Sequence, residues 1–476
     1  MINDDKVPPL CVDLDGTLTP ADTLWEAVVL LARRRPLLVL ALPWWLCQGR
    51  AVFKARVAQS VNLAEMALTW NEPLLAHLRA EYPRPLYLVS GANEAIVAMV
   101  ARRLPIFSGM HASDGKTNLT RSAKRRRLVE QFGEGGYDYA GNDAKDLEAW
   151  AHARAAILVN ADARLTRLAR QRFNVQAVFT EKLPMGKSLL KCLRPHQWVK
   201  NLLVFVPLLS AHKLFDHTAL TEAVAGFVAF CAVASAFYIF NDLFDLAADR
   251  EHPHKRHRPL ASGAVSIPAA LATMAVMLVA GLALGGLVGA MFALVLLGYV
   301  ALTSLYTFAI KRVPIADVVT LGGLYTIRIV GGGVAAGVEL SSWLLTFSMF
   351  IFLSLGLAKR FTEIKAKSDA GGEEVAGRGY QTGDLELVSS LGTASGYIAT
   401  LVLAFYVTSD KVKTLYWHPE ILWAFVVLLL YWISRVWLIA HRGQLHHDPI
   451  VFALKDKVSY SILACVLAVM WLAGPK

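Results

Sequence analysis

The chain has little cysteine and little charge. Its 5 cysteines, Cys11, Cys47, Cys192, Cys231 and Cys465, form no CxxC pair and no regular framework. That spacing excludes a disulfide scaffold and a cysteine-rich zinc site, and it fits single buried thiols in a reducing compartment. Charged residues are 18% of the chain, against about 25% in soluble domains. The first residues, MINDDKVPPL, carry neither the basic nor the apolar stretch of a secretory leader, so the first domain is expected to stay in the cytoplasm. No basic stripe interleaved with aromatics is present, so the net charge of +11 points away from nucleic acid and towards membrane topology and anionic substrates.

What the chain has is apolar length. The hydrophobic fraction is 55% and the mean hydropathy +0.44, both unevenly spread. Residues 1–190 read as a soluble α/β pattern. From about residue 195 there are nine apolar runs, centred near residues 205, 228, 277, 298, 325, 351, 399, 428 and 465, each near the roughly 20 residues that span a bilayer. With a cytoplasmic N-terminus, one set of connections carries Arg250, Lys255, Arg256, Arg258, Lys311, Arg312, Lys359, Arg360, Lys365, Lys367, Arg378, Arg442, Lys455 and Lys457. The other carries only Lys213, Lys411, Lys413 and Lys476. This positive-inside bias supports that orientation. The expected organisation is an α/β domain over residues 1–182, a linker over 183–192 and an all-α, nine-helix transmembrane bundle over 193–476.

Near the N-terminus, Pro8-Pro9-Leu10-Cys11-Val12 leads into Asp13-Leu14-Asp15-Gly16-Thr17-Leu18-Thr19. A short apolar strand thus ends in two carboxylates, with a glycine that permits a sharp turn beside a phosphate. Further elements follow in order: Leu86 to Val89 ending in Ser90, then Lys124, then Tyr139-Ala140-Gly141-Asn142-Asp143-Ala144-Lys145-Asp146. Together they resemble the haloacid dehalogenase (HAD) phosphohydrolases, whose fold is Rossmannoid. The resemblance implies Asp13 as nucleophile, Asp15 as general acid and then base, and Ser90 and Lys124 as ligands of the phosphoryl oxygens. It implies magnesium on Asp13, the Asp15 carbonyl and motif IV, where Asn142 offers an oxygen and Asp146 or Asp143 supplies charge. The family's first motif-IV aspartate is Asn142 here, so a pseudophosphatase that binds phosphate without turnover is the alternative. Between the first two elements, near 24–60, Arg33-Arg34-Arg35-Pro36 precedes an apolar stretch with Trp44 and Trp45. It is too short to span, and reads as either an interfacial membrane helix or a cap helix.

The second chemical segment is Asn241-Asp242-Leu243-Phe244-Asp245-Leu246-Ala247-Ala248-Asp249-Arg250, at the end of the second apolar run. Asn241, Asp245 and Asp249 share a helix face, and Asp242 is i,i+3 from Asp245. Such close carboxylates repel unless a cation lies among them, and their oxygens suit magnesium bridging substrate phosphates. The segment resembles the first motif of the UbiA superfamily of intramembrane transferases. Leu193 to Asn201, the extension from Asp249 to Leu260, Lys359-Arg360 with Glu363, and Asp448-Pro449 before Phe452-Ala453 resemble its polyprenyl-phosphate (decaprenyl-phosphate) phosphoribosyltransferase branch. Tyr306 and Lys311 resemble a Tyr/Lys element on the fourth helix. A second Asp-rich motif is missing, since Asp369 and Asp384 stand far apart.

The resemblance implies a pentosyl transfer. Magnesium on Asp242, Asp245 and Asp249 would bind phosphoribosyl diphosphate, and polyprenyl phosphate would attack C1. Asn241, Lys200, Lys255, Arg256, Arg258, Tyr306, Lys311, Lys359 and Arg360 would hold donor and acceptor. The HAD half would then remove the 5-phosphate, giving a sugar donor for envelope glycans in the bacterial cytoplasmic membrane, as a single chain or an oligomer. The rival reading is an aromatic polyprenyltransferase with a regulatory HAD domain.

Overall fold

The structure is a computed structural model, and it describes residues 7–180, 185–375, 377–445, 452, 453 and 455–474. Asp448 and Pro449, and residues 183 and 184 of the expected linker, lie outside the described residues. Two compact units are present: Met1–Arg194 with Tyr238–Ala275, and Pro195–Phe237 with Val276–Lys476. The division does not follow the expected border along the chain, because the acidic segment and its basic extension fall in the first unit.

The first unit holds a six-stranded parallel sheet. Its strands are β1 (Leu10–Val12), β2 (Leu86–Asn93), β3 (Gly109–Ser113), β4 (Asp138–Gly141), β5 (Ala155–Val159) and β6 (Val175–Phe179), in the order β3-β2-β1-β4-β5-β6. Parallel strands covered on both faces need apolar side chains on both, and β1 and β5 are buried throughout. Alternate residues divide between two cores. Leu10 and Val12 pack with Leu88 and Ile157, while Cys11 packs with Val89, Tyr139 and Leu158. Fully burying each large aliphatic side chain contributes about 1.5–3 kcal/mol. The strand order reverses between β1 and β4, and a crevice opens at the carboxyl ends of strands at such a point. Asp13 directly follows β1 and Asn142 directly follows β4.

After helix Thr23–Arg34 comes the segment read from sequence as either an interfacial membrane helix or a cap helix. It forms a 3-10 turn (Pro36–Ala41) and a short helix (Leu42–Cys47). Trp45 is buried with the core, whereas Leu37, Leu40, Trp44 and Leu46 are exposed.

Seven helices, rather than nine, are long and apolar enough to cross a membrane among the described residues. The expected run near 205 is instead a 3-10 stretch (Pro195–Phe205) followed by a five-residue helix, Val206–Ser210, with Pro207 in its first turn. Proline lacks the backbone donor that would let one helix run through. The run near 465 is a 17-residue helix, Lys457–Ala473, at the short end of bilayer-spanning length.

Candidate functional site

In the first unit, Asp13, Asp15, Ser90, Lys124, Asn142 and Asp146 line one cleft of about 280 Å³. The sheet explains the convergence. The Asp13 amide donates to Ala140 O of β4 at 3.0 Å, which carries the chain past the strand end. Gly16 has φ +77°, and its missing Cβ leaves room for the Asn142 amide. Lys124 Nζ lies 3.2 Å from Asp13 Oδ1 and 3.3 Å from Asp146 Oδ1, and it donates to the Tyr139 hydroxyl at 2.7 Å.

Electrostatics separate the two leading carboxylates. Burial raises Asp13 to about 6, against the pull of Lys124. Burial, with Asp22 beside it, raises Asp15 to about 7, while Asp15 Oδ1 accepts the Thr23 amide at 2.8 Å. Burial alone would lower the Lys124 ammonium, but Asp13 and Asp146 outweigh it and its pKa is raised. Both carboxyls are thus held above the ordinary carboxylate range, Asp15 beside a like charge and Asp13 beside the Lys124 ammonium.

Asp146, expected among the metal ligands, is bonded through both carboxylate oxygens. Its Oδ2 accepts the amides of Asn142 and Asp143 at 3.0 and 3.1 Å, and its Oδ1 takes Lys124 and the Tyr139 hydroxyl. Both oxygens are committed, so Asp146 shapes the loop and holds Lys124. Oxygen donors for a divalent ion remain in Asp13 Oδ2, the Asp15 carbonyl, Asn142 and Asp143. Asp143 lines the same cleft, paired with Lys145 at 3.1 Å.

The acidic helix end, also in the first unit, is bridged by arginines. Arg258 reaches Asp242 Oδ1 at 3.1 Å and Asp249 Oδ2 at 2.6 Å, and Arg194 also pairs with Asp242 Oδ1. Asp242 and Asp249 are nearly buried. Backbone bonds chain the segment: Asp245 N to Asn241 O at 2.9 Å, and Asp249 N to Asp245 O at 2.8 Å. No group of three His, Cys, Asp or Glu side chains set to hold a metal occurs among the described residues. Asp242 Oδ2 and Asp249 Oδ1 nevertheless stay outside the guanidinium contacts, so oxygens suited to a hard cation remain. Lys255 and Arg256 are exposed on the 3-10 turn Lys255–His257. Arg194 was not foreseen as a partner; its signal was its place in the Leu193 to Asn201 stretch.

The second unit holds the other expected residues. Arg360 is 1% exposed and neutralised: Nε meets Asp317 Oδ2 and a terminal nitrogen meets Glu363, both at 2.6 Å. Tyr306 accepts from Arg378 at 2.9 Å and from Arg360 at 3.4 Å. Tyr380 donates to Asp317 Oδ1 at 2.7 Å. This network holds Arg360, expected among the phosphate-binding residues, through Asp317, Glu363 and Tyr306. Lys200 Nζ lies 5.9 Å from the Tyr325 ring centroid. Lys311 follows the third long helix, Ala290–Phe308, on a 3-10 turn, and Lys359 precedes Arg360 on helix Ser342–Asp369. Sequence reasoning missed Arg328, buried on helix Ala316–Ala335, which donates to Asn201 Oδ1 at 2.7 Å and the Tyr299 hydroxyl at 3.0 Å. An apolar cavity of about 260 Å³, lined by Leu340, Trp343, Phe347 and Leu403, opens in this unit.

Known proteins resemble the chain as follows. A model of the UbiA prenyltransferase family matches residues 203–455. Uncharacterized protein y4nM of Sinorhizobium fredii is 38% identical over 475 residues, 99% of this chain and 92% of that one. Nodulation protein NoeC of Azorhizobium caulinodans is 36% identical over 293 residues, covering 60% of this chain and 92% of its own. A decaprenyl-phosphate phosphoribosyltransferase of Mycolicibacterium smegmatis is 30% identical over 284 residues, 57% of this chain and 87% of that one.

Proposed function

The chain belongs to the UbiA prenyltransferase family, and from that premise we propose that it moves phosphoribosyl from phosphoribosyl diphosphate to polyprenyl phosphate and then removes the 5-phosphate. It is a multi-pass membrane transferase by family and by its long apolar helices. The observation that carries the two-step reading is the pairing, in one compact unit, of the acidic helix end with a cleft holding Asp13, Asp15 and Lys124. The likeness to the Mycolicibacterium enzyme supports the choice of donor.

In the transfer step, an acceptor phosphate oxygen bonds to C1 of ribose as the C1–oxygen bond to diphosphate breaks. Magnesium held by Asp242, Asp245 and Asp249 would supply positive charge to that leaving group. Arg194 and Arg258 already counter these carboxylates and stand ready to share the departing charge. Lys200, Lys255, Arg256, Lys311 and Lys359 are the candidates for the 5-phosphate and the acceptor phosphate. The polyprenyl tail would lie in the apolar cavity lined by Phe347 and Leu403.

In the second step, an Asp13 oxygen attacks the phosphorus of the 5-phosphate. The phosphorus–O5 bond breaks and Asp15 gives its proton to O5. Water then attacks the aspartyl-phosphate, Asp15 takes its proton, and inorganic phosphate leaves. Lys124 and Ser90 hold the phosphoryl oxygens. Asp13, the Asp15 carbonyl, Asn142 and Asp143 would hold magnesium, which would offset phosphoryl charge. The α/β half lies on the cytoplasmic side of the cytoplasmic membrane in this reading. The product is a sugar donor for surface glycans, and the Azorhizobium relative's name adds nodulation to the settings for such a donor.

The test supplies full-length protein with magnesium, phosphoribosyl diphosphate and polyprenyl phosphate, and follows diphosphate and phosphate separately. Both are expected from the native chain, the first to be lost in Asp245→Ala. Use of a prenyl diphosphate with indifference to phosphoribosyl diphosphate would overturn the reading in favour of aromatic prenyl transfer.

A further inference from the structure

The α/β cleft holds two cations that neither step uses. Lys54, on helix Arg50–Gln59, donates to Gly91 O at 2.5 Å and to Asn118 Oδ1 at 2.8 Å. Both acceptors are neutral. No carboxylate comes within 4.0 Å of its Nζ among the described residues. Lys124 in the same cleft is paired with two carboxylates. An ammonium has three donors, so Lys54 keeps one for another partner. Burying a cation is unfavourable unless an anion compensates it, and burial does lower the Lys54 pKa, with Asp15 and Asp22 opposing only through their field.

Arg121 lines the same cleft. Its side chain makes no ion pair or hydrogen bond among the described residues and is exposed. Its backbone sits at φ +48° and ψ −119°, a conformation that non-glycine residues adopt at a cost and that concentrates at functional sites. Gly91, next to Ser90, stands beside both Lys54 and Thr120, the residue before Arg121. A Cβ on Gly91 would lie 2.8 Å from Thr120 Cγ2, the neighbour of Arg121, and 3.8 Å from Lys54 Nζ. Glycine is needed there for the two walls to close.

We propose that Lys54 and Arg121 form a second anion subsite, which takes the phosphodiester of a sugar 5-phosphate while Ser90 and Lys124 hold the monoester to be cleaved. The proposal rests on the phosphatase reading and names its substrate class: a ribose 5-phosphate carrying a phosphodiester at C1. A plain phosphomonoester leaves the subsite empty and is the poorer substrate. The cleft thereby waits for the transfer product instead of hydrolysing the cell's free sugar phosphates.

The test compares phosphate release by the full chain, in detergent with magnesium, from ribose 5-phosphate and from a short-chain prenyl-phosphoryl-ribose 5-phosphate. Lys54→Met and Arg121→Gln are each expected to lower kcat/KM for the diester substrate by about 10- to 100-fold. Ribose 5-phosphate hydrolysis should change by less than about twofold, and Lys54→Arg should keep most of the diester rate. An equal fall on both substrates, or no fall on either, would overturn the subsite. If the native chain cleaves neither compound, the phosphatase reading fails by itself. The subsite is then read by calorimetry with a non-hydrolysable 5-phosphonate of the diester: weaker binding by Lys54→Met upholds it, and unchanged binding overturns it.

Discussion

Asp13 and Asp15 stand two residues apart at one strand end, yet their electrostatic surroundings differ. Lys124 lies against Asp13 at 3.2 Å and limits its rise to about 6. Asp15 has Asp22 nearby and rises to about 7. In the proposed second step the first would act ionised and the second protonated, so phosphate release should fall as pH drops through the Asp13 value and as it climbs through the Asp15 value. The kcat profile is expected to be a narrow bell, and a flat profile from about pH 5 to about 8 would contradict the assignment. Asp13→Asn should leave diphosphate release intact and cut phosphate release by at least about 10³-fold, read as accumulated 5-phosphorylated lipid. These residues were legible in the sequence because strand, carboxylates and glycine are contiguous. Lys54, Arg121, Asp317 and Arg328 were not, since each is an isolated residue whose partners come from distant elements. Arg360 was legible as a charge but not as a neutralised one, because Asp317 is far from it in the chain.

Between elements, the most consequential contact joins residues that no local pattern could connect. Arg250, which ends the acidic segment, meets Glu26 of helix Thr23–Arg34 through two bonds, at 2.6 and 3.0 Å. It also donates to Ala261 O at 3.0 Å and to Ala67 O. Both side chains are almost fully buried. The Thr23 amide at the start of that helix is held by Asp15, so the acidic segment and the cleft share a support. Removing one partner leaves a buried, unpaired charge. Glu26→Ala should therefore cost about 3–5 kcal/mol locally, seen as a lower Tm in detergent and faster proteolysis after Asp249. Replacing both partners, as Glu26→Met with Arg250→Met, should recover most of it; an unchanged Tm in Glu26→Ala would contradict the role. In the second unit, Leu403→Trp would fill the apolar cavity. It should raise KM for long polyprenyl phosphates while sparing short ones, and equal effects on both would place the tail elsewhere.

For the molecule as a whole, the sequence disclosed the α/β half, the helical half and the family of the second. Among the described residues two of the nine expected runs are not long helices: the one near residue 205 follows a 3-10 path broken by Pro207, and the one near 465 is a 17-residue helix. The sequence also could not show that the segment Tyr238–Ala275 packs with the α/β body, since burial partners leave no trace in spacing. That shared body is the basis for reading transfer and dephosphorylation as consecutive reactions on one lipid. The most direct measurement is a time-resolved mass spectrum of the lipid formed from phosphoribosyl diphosphate and polyprenyl phosphate by the native chain and by Asp13→Asn. The account predicts polyprenyl-phosphoryl-ribose from the first and its 5-phosphorylated precursor from the second; the same lipid from both, or no ribose on either, would contradict it.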